Sequence, residues 1–332
     1  MSFLNAAVTQ YIMQAVLHTA IIGIVVESVI SIYHINKPAQ QISYRFLGLL
    51  LPVIYLFFFF LLDSNRTGEQ FHRQKALFDS NQWLTLRLGE SFFLGYLVFG
   101  ILMITAVVFL LTEGIPFIRF YFGRHPALKA LQKGQFPRLE GVIKTLTVEN
   151  RLPQPLVVVS AEPMPVVHTS GLKTLIVSPA LVELLDDDEL EAVIAHELAH
   201  FTGGVAGINL TGLALRFIMF YNPVALLLFR RLNHDLERQC DEIAVSVTGK
   251  PLALSSGLLK VFRSSHLRSP GTATSLAKPS PAGTLVGTAY RGLLKERIHR
   301  LMYPETAVNV TPDSLRITVL TGCLGALLFF VV

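Results

Sequence analysis

His196 and His200 stand four residues apart with Glu197 directly after the first, in the stretch AVIAHELAHFTGG from Ala192 to Gly204. On a helix, at about 100° per residue, the two imidazoles fall one turn apart on one face and can reach the same ion, while Glu197 flanks that face. This is the two-histidine zinc pattern, in which the glutamate is not a ligand but the base beside the metal-bound water. The alternative is two histidines satisfied on a helix surface, with Glu197 as a solvated charge. Zinc needs a third protein ligand and leaves its fourth position to water. HDLERQCDEIAV, from His234 to Val245, puts Glu237 and Asp241 four apart on a second predicted helix. Glu237 completes a His, His, Glu set, with His234 and Asp241 as rivals. Asp241 can instead accept the free ring N–H of a ligating histidine.

The expected cofactor is one Zn2+, and the expected chemistry is hydrolysis. Zinc lowers the pKa of its water to about 7 and polarises a scissile carbonyl, while Glu197 takes the water proton and passes it to the leaving amine. His168 and His234 are the candidates for stabilising the oxyanion. Cys240 could ligate a metal, but a lone cysteine beside an acidic motif reads first as a small packed residue.

The elements that must position these groups can be read around them. DDDELEAVIAHELAHF opens with Asp186 as N-cap and Glu189 three residues later, a capping box. Leu190, Val193, Ile194, Leu198 and Phe201 recur at helical spacing, and Gly203 with Gly204 is expected to stop the helix. Upstream, Pro155–Ser160, Pro165–Gly171 and Thr174–Ser178 are short β-branched runs bounded by Pro, Gly and Ser, which predict a small sheet of two or three strands. Val166–Gly171 or Thr174–Ser178 would be the edge that takes a peptide as an added strand. A short helix over PALVELL follows. Ser264–Gly292, rich in Ser, Thr, Gly, Pro and Ala, predicts a loop, and LLKERIHRLM, Leu293–Met302, a basic amphipathic helix. A Ser-x-x-Lys at Ser275–Lys278 has no accompanying domain and reads as chance.

The chain around this polar core is apolar: 52% of its 332 residues are hydrophobic and 15% charged, against about 25% charged in soluble domains. Windows at Tyr11–Tyr33, Phe46–Leu62 and Ser91–Thr112 are long enough to span a bilayer, with a shorter one at Ile317–Val332. The expected organisation is therefore an α+β membrane protein. Residues 1–118 carry three spans (about 11–33, 46–62 and 91–112), 119–316 form a mainly helical zinc domain with its small sheet, and 317–332 form a C-terminal span. No positive charge precedes the first window, so it reads as a retained span and not a signal peptide. Lys37 and Arg45 in the first loop, and Arg119, Arg124, Lys129, Lys133 and Arg138 after the third span, put the zinc domain in the cytoplasm and both termini outside. The loop Asp63–Glu90 mixes both signs. The net charge of +5 is thus a topology signal, and no basic stripe interleaved with aromatics suggests nucleic acid. The partners expected are a protein or peptide substrate and the lipid bilayer. Cys240 and Cys323, the only cysteines, fall in different regions, so no structural disulfide is expected.

Two details bear on the bilayer. Glu27, inside the first window, is either a coupling residue between spans or a polar group packed against a neighbouring helix. Val205–Phe229 is apolar enough to be taken for a fifth span, yet one crossing would separate Glu237 from His196 and His200. Arg216 and Asn222-Pro223 in its interior also oppose crossing, so it is expected to bend at Pro223 and stay on the cytoplasmic side.

HELAH followed by LERQCDEIAV resembles the gluzincin metallopeptidases, in which a glutamate and an aspartate four residues on complete the site. FYNPVALLLFRRL ahead of ERQCD resembles the membrane-bound branch typified by the metalloprotease part of the beta-lactam sensor-transducers, peptidase family M56. QAVLHTAIIGIV and KERIHRLM fit that branch as well. The resemblance implies His196, His200 and Glu237 as zinc ligands, Asp241 behind them and Glu197 as base. The neighbouring integral-membrane M48 proteases share the metal motifs but place their spans differently. Two departures count against antibiotic sensing: the chain ends at Val332 without a penicillin-binding domain, and FTGGVAG replaces the basic stretch and aspartate usual after the second histidine. The competing readings are a signalling receptor whose zinc domain is the output, and an M48-type quality-control protease.

Overall fold

The computed structural model describes residues 2–62, 94–115, 128–130, 134–160, 164–170, 173–267, 283–303 and 314–331, with residues 71, 74–77, 86 and 118 besides. The Ser-x-x-Lys at 275–278, most of the loop Asp63–Glu90, and the basic residues Arg119, Arg124 and Lys133 lie outside the described residues. Two compact units form, neither continuous in sequence: residues 1–115, 210–235 and 307–332 make the first, and 116–209 with 236–306 the second.

In the first unit, α1 (Ser2–Ile32) and α2 (Pro38–Leu62) pack along each other, and α3 (Leu94–Phe109) continues as a π-helical turn to Gly114. Three helical segments, Tyr11–Ile32, Pro38–Phe59 and Leu94–Gly114, are long and apolar enough to cross a membrane, and Ile317–Phe329 in α11 (Ser314–Phe329) is a shorter apolar helix. The four windows read from the sequence are thus four helices. Ile22, Val26, Tyr55, Phe59 and Leu328 form a buried core. Ile24, Phe57, Leu61, Phe99 and Ile104 stand largely exposed, the outward apolar surface that a bilayer covers.

Several polar groups inside this unit are paired, which an apolar medium favours. Asn222 donates to Thr19 Oγ1 (3.0 Å) and, through its own Oδ1, caps α8 (Pro223–Thr248) by accepting from the amides of Val224 and Ala225. Glu27 is fixed between helices: Arg45 Nε and Nη2 donate to its two oxygens at 2.9 and 3.2 Å, Arg231 Nη1 lies 2.9 Å away, and Arg45 Nη1 reaches the fully buried Asp235. The window Val205–Phe229 is not one helix. α7 (Gly203–Ile218) ends where Arg216, fully buried, turns its guanidinium onto the carbonyls of Met219 and Phe220, and α8 starts at Pro223.

The second unit is built on a sheet. β1 (Leu128–Ala130), β2 (Leu156–Ser160), β3 (Val167–Ser170) and β4 (Thr174–Val177) lie in the order β1-β2-β4-β3. β2 and β4 are parallel, and β1 and β3 run antiparallel to their neighbours. This adds a short outer strand to the two or three expected. It also corrects one expectation: Thr174–Ser178 is not an edge, because β3 covers its outer side. Leu175, Ile176 and Val177 are all buried, the continuous apolar run of a central strand.

Helices surround the sheet. α4 (Pro137–Lys144) buries Leu139 and Ile143; α5 (Pro179–Leu184) is capped by Ser178, whose hydroxyl accepts from Leu181 N. α6 (Asp187–Ala199) opens with the expected capping box, Asp186 and Glu189 exchanging hydrogen bonds at 2.9 and 3.0 Å. It ends at Ala199, not at the glycines, which instead begin α7. Gly249, at φ +69°, closes α8 in the left-handed conformation that a β-carbon disfavours, and Pro251 starts α9 (Pro251–Leu267). α10 (Gly283–Met302) begins ten residues before the helix expected at Leu293, and Ser264–Leu267 belong to α9. Of the loop predicted over Ser264–Gly292, residues 264–267 and 283–292 are therefore helical, and 268–282 lie outside the described residues.

α9 crosses α6 at Gly257, where a β-carbon would stand 2.8 Å from Val193 Cγ2. Gly257→Ala gains about 1 kcal/mol of helix propensity but overpacks a rigid β-branched neighbour at about 1–3 kcal/mol. A net loss of stability is expected, read as a lowered thermal midpoint of the purified protein.

Candidate metal centre

α6 delivers His196 and His200 because its other face is committed to the core. Leu190, Val193, Ile194 and Leu198 are at most 1% exposed, which fixes the helix rotation and turns the histidines the other way. His200 sits at the C-cap with helical backbone angles, so the one-turn spacing survives the end of the helix. The two rings meet edge to face with centroids 5.1 Å apart. α8 brings Glu237, Cys240 and Asp241 on successive turns, anchored in the second unit by buried Leu236 and Ala244.

Among the described residues, His196, His200 and Glu237 form a group able to hold a metal, their ligand atoms all within 4.8 Å of one another. Glu237 Oε2 is 3.5 Å from His196 Nε2, and Oε1 is 3.5 Å from His200 Nε2. Zinc with ligands at about 2.0–2.2 Å in a tetrahedron sets ligand atoms about 3.4 Å apart, so the arrangement fits that ion. His234 is not in this group. Asp241 lies behind it, with Oδ1 3.0 Å from His196 Nδ1, placed to take the proton of the nitrogen that faces away from Glu237. Cys240 is packed: its Sγ is buried 3.4 Å from His200 Nδ1, and burial pushes its thiol pKa up.

One member of the cluster was not anticipated from the sequence. Arg297, on α10, grips both oxygens of Asp241, with Nε 2.8 Å from Oδ2 and Nη2 2.7 Å from Oδ1; its Nη1 is 3.0 Å from Glu237 Oε2 and Nη2 is 3.4 Å from His196 Nε2. The signal available was the pair Glu237 and Asp241 itself, since two neighbouring carboxylates, one of them buried, favour a cation between them.

The charges of the cluster set its proton affinities. Burial alone would lower the His196 pKa, but the carboxylates of Asp241 and Glu237 outweigh it and carry it to about 9. Burial, with His196 beside it, takes His200 down to about 4. Burial would raise Glu237 and Asp241, yet His196 and Arg297 hold both well below the usual carboxylate range. Glu197 goes the other way: burial raises it to about 7, with Glu237 adding to the rise and His196 and Arg297 opposing it.

Residues 91–275, more than half of the chain, match the family described as BlaR1 peptidase M56. The chain belongs to that family. Beyond M56, it is 28% identical over 239 residues to Protease HtpX homolog 1 of Streptomyces coelicolor, covering 56% of this chain and 78% of the relative. It is 30% identical over 122 residues to the Protease HtpX homolog of Tropheryma whipplei strain Twist, 34% of this chain and 38% of that one. With the Pyrococcus furiosus Protease HtpX homolog the identity is 24% over 216 residues, 51% and 72% of the two chains. The M56 match, the HtpX likeness and the apolar helices together make this a membrane metallopeptidase related to both M56 and M48.

Proposed function

We propose that the chain is an integral-membrane zinc endopeptidase that cleaves peptide bonds at the cytoplasmic membrane face, with His196, His200 and Glu237 as the zinc ligands and Glu197 as general base. The observation that carries this reading is the 3.5 Å spacing of Glu237 from both imidazoles, beside the half-buried carboxylate of Glu197. A zinc ion held by His196, His200 and Glu237 would supply Lewis acidity toward the scissile carbonyl and a water. Glu197 takes the proton of that water and delivers it to the leaving amine. Its raised pKa suits it to do both near neutral pH. Asp241, behind His196, holds the ring with Nε2 toward the ion.

An extended stretch of substrate would add to the outer edge of β3, Val167–Ser170, which packs against α6. The cytoplasmic assignment rests on the lysines and arginines that flank the first and third spans. The break between Ile218 and Pro223, with Arg216 buried beside it, favours two helices at that face over a fifth crossing.

The test uses the full chain in lipid nanodiscs with a quenched-fluorescence unfolded peptide. Stripping with a chelator is expected to abolish cleavage, and one equivalent of zinc to restore it, while magnesium does not. Cleavage that persists in the stripped protein would refute the assignment.

A further inference from the structure

Among the described residues, Arg297 touches three separate members of the cluster, and it does so with all three of its guanidinium nitrogens. Other ion pairs among the described residues of the second unit lie apart from it: Lys260 binds Glu189, Lys250 binds Asp188 and Glu191, and Arg138 binds Asp187. Those tie neighbouring helices together away from the metal cluster. Arg297 is 11% exposed and Asp241 6%.

We propose that Arg297 is a positioning residue for the metal cluster: its planar fork fixes Asp241 against His196 Nδ1, and its third nitrogen fixes Glu237 against the two Nε2 atoms. This rests on the ligand assignment proposed above. The physical argument starts from Glu237 and Asp241, like charges one turn apart on α8, which repel. Left alone they would turn their carboxylates apart, Glu237 away from the imidazoles and Asp241 away from Nδ1. A single cation that bridges both removes the repulsion and sets their orientation before any metal arrives. The fork geometry matters as much as the charge, because Asp241 is held through two parallel N–H···O bonds. Lysine offers the charge without the fork.

The experiment titrates Co2+ into the metal-stripped full chain in nanodiscs, against a competing chelator, and records the visible d–d band. Arg297→Gln is expected to weaken Co2+ binding about 10–100-fold and to shift the band. Arg297→Lys, the milder change should Arg297→Gln misfold, is expected to fall between it and the parent in both readouts. A merely structural brace would lower the melting temperature of the stripped protein and leave the affinity and the band of the folded fraction unchanged, and that result overturns the inference. Tighter binding by Arg297→Gln would show that the guanidinium competes with the metal, and overturns it equally. His200→Ala separates the two readings. Loss of the band in His200→Ala with an unaltered Arg297→Gln removes the positioning role alone, whereas a parent-like band in His200→Ala removes the ligand assignment and the inference with it.

Discussion

Glu197→Gln is expected to bind zinc as the parent does and to lose peptide hydrolysis by at least about 100-fold, the lower range for removal of a positioned acid–base group. The separation follows from the site: Glu197 follows His196 on α6 but is not one of the three grouped residues, so its amide costs no ligand. Metal analysis and a cleavage assay on the same preparation check it; undiminished cleavage would remove Glu197 from the mechanism. The pH profile of the parent adds a second measure. Glu197 acts as a base only when ionised, so activity falls on the acid side as its carboxylate is protonated. Burial sets that carboxyl at about 7, and a cation held by His196, His200 and Glu237 can only lower it. The acid limb is therefore expected at or below pH 7, and it vanishes with the activity in Glu197→Gln.

The second large effect is on the metal itself. Glu237→Ala deletes the only carboxylate of the grouped residues and leaves Arg297 without one of its partners. Asp241→Ala leaves all three grouped residues in place but takes the support from His196 Nδ1 and two bonds from Arg297, a change expected to cost about 10–100-fold in affinity. Zinc binding, measured by chelator competition, is expected to fall further in Glu237→Ala than in Asp241→Ala. The reverse order would make Asp241 the ligand.

What could be read from the sequence divides along a physical line. The capping box at Asp186 and Glu189, the two histidines on one face and the acidic pair on α8 depend on helix geometry over four residues, which the order of residues fixes locally. The four apolar helices depend on composition over about twenty. Arg297 depends on neither. It comes to the cluster from 56 residues beyond Asp241, and its helix begins in a Gly/Ser/Thr stretch without apolar periodicity. β1, Leu-Lys-Ala, has no β-branched residue to mark it. Strand order is likewise non-local: only the pairing of β4 with both β2 and β3 shows which run is the edge. The end of α6 at Ala199 was misplaced because paired glycines can open a helix as well as close one, and here they open α7.

The pairing of Glu27 has a consequence for how the chain is made. Arg45 meets Glu27 only 18 residues back, while its other partner, Asp235, is synthesised 190 residues later. Unpaired charges within membrane spans are costly to insert, so each stage of biogenesis is cheaper when its charges cancel. The α1–α2 hairpin satisfies this by itself, since Glu27 and Arg45 form a neutral pair as soon as both helices exist. The third and fourth turns of α8 carry Arg231 and Asp235, one of each sign, and Arg231 joins Glu27 as Asp235 joins Arg45. The four-residue cluster is thus neutral when half complete and neutral again when whole. Charge balance thus lets the hairpin insert before α8 is made and lets α8 dock onto it without leaving a charge unpaired.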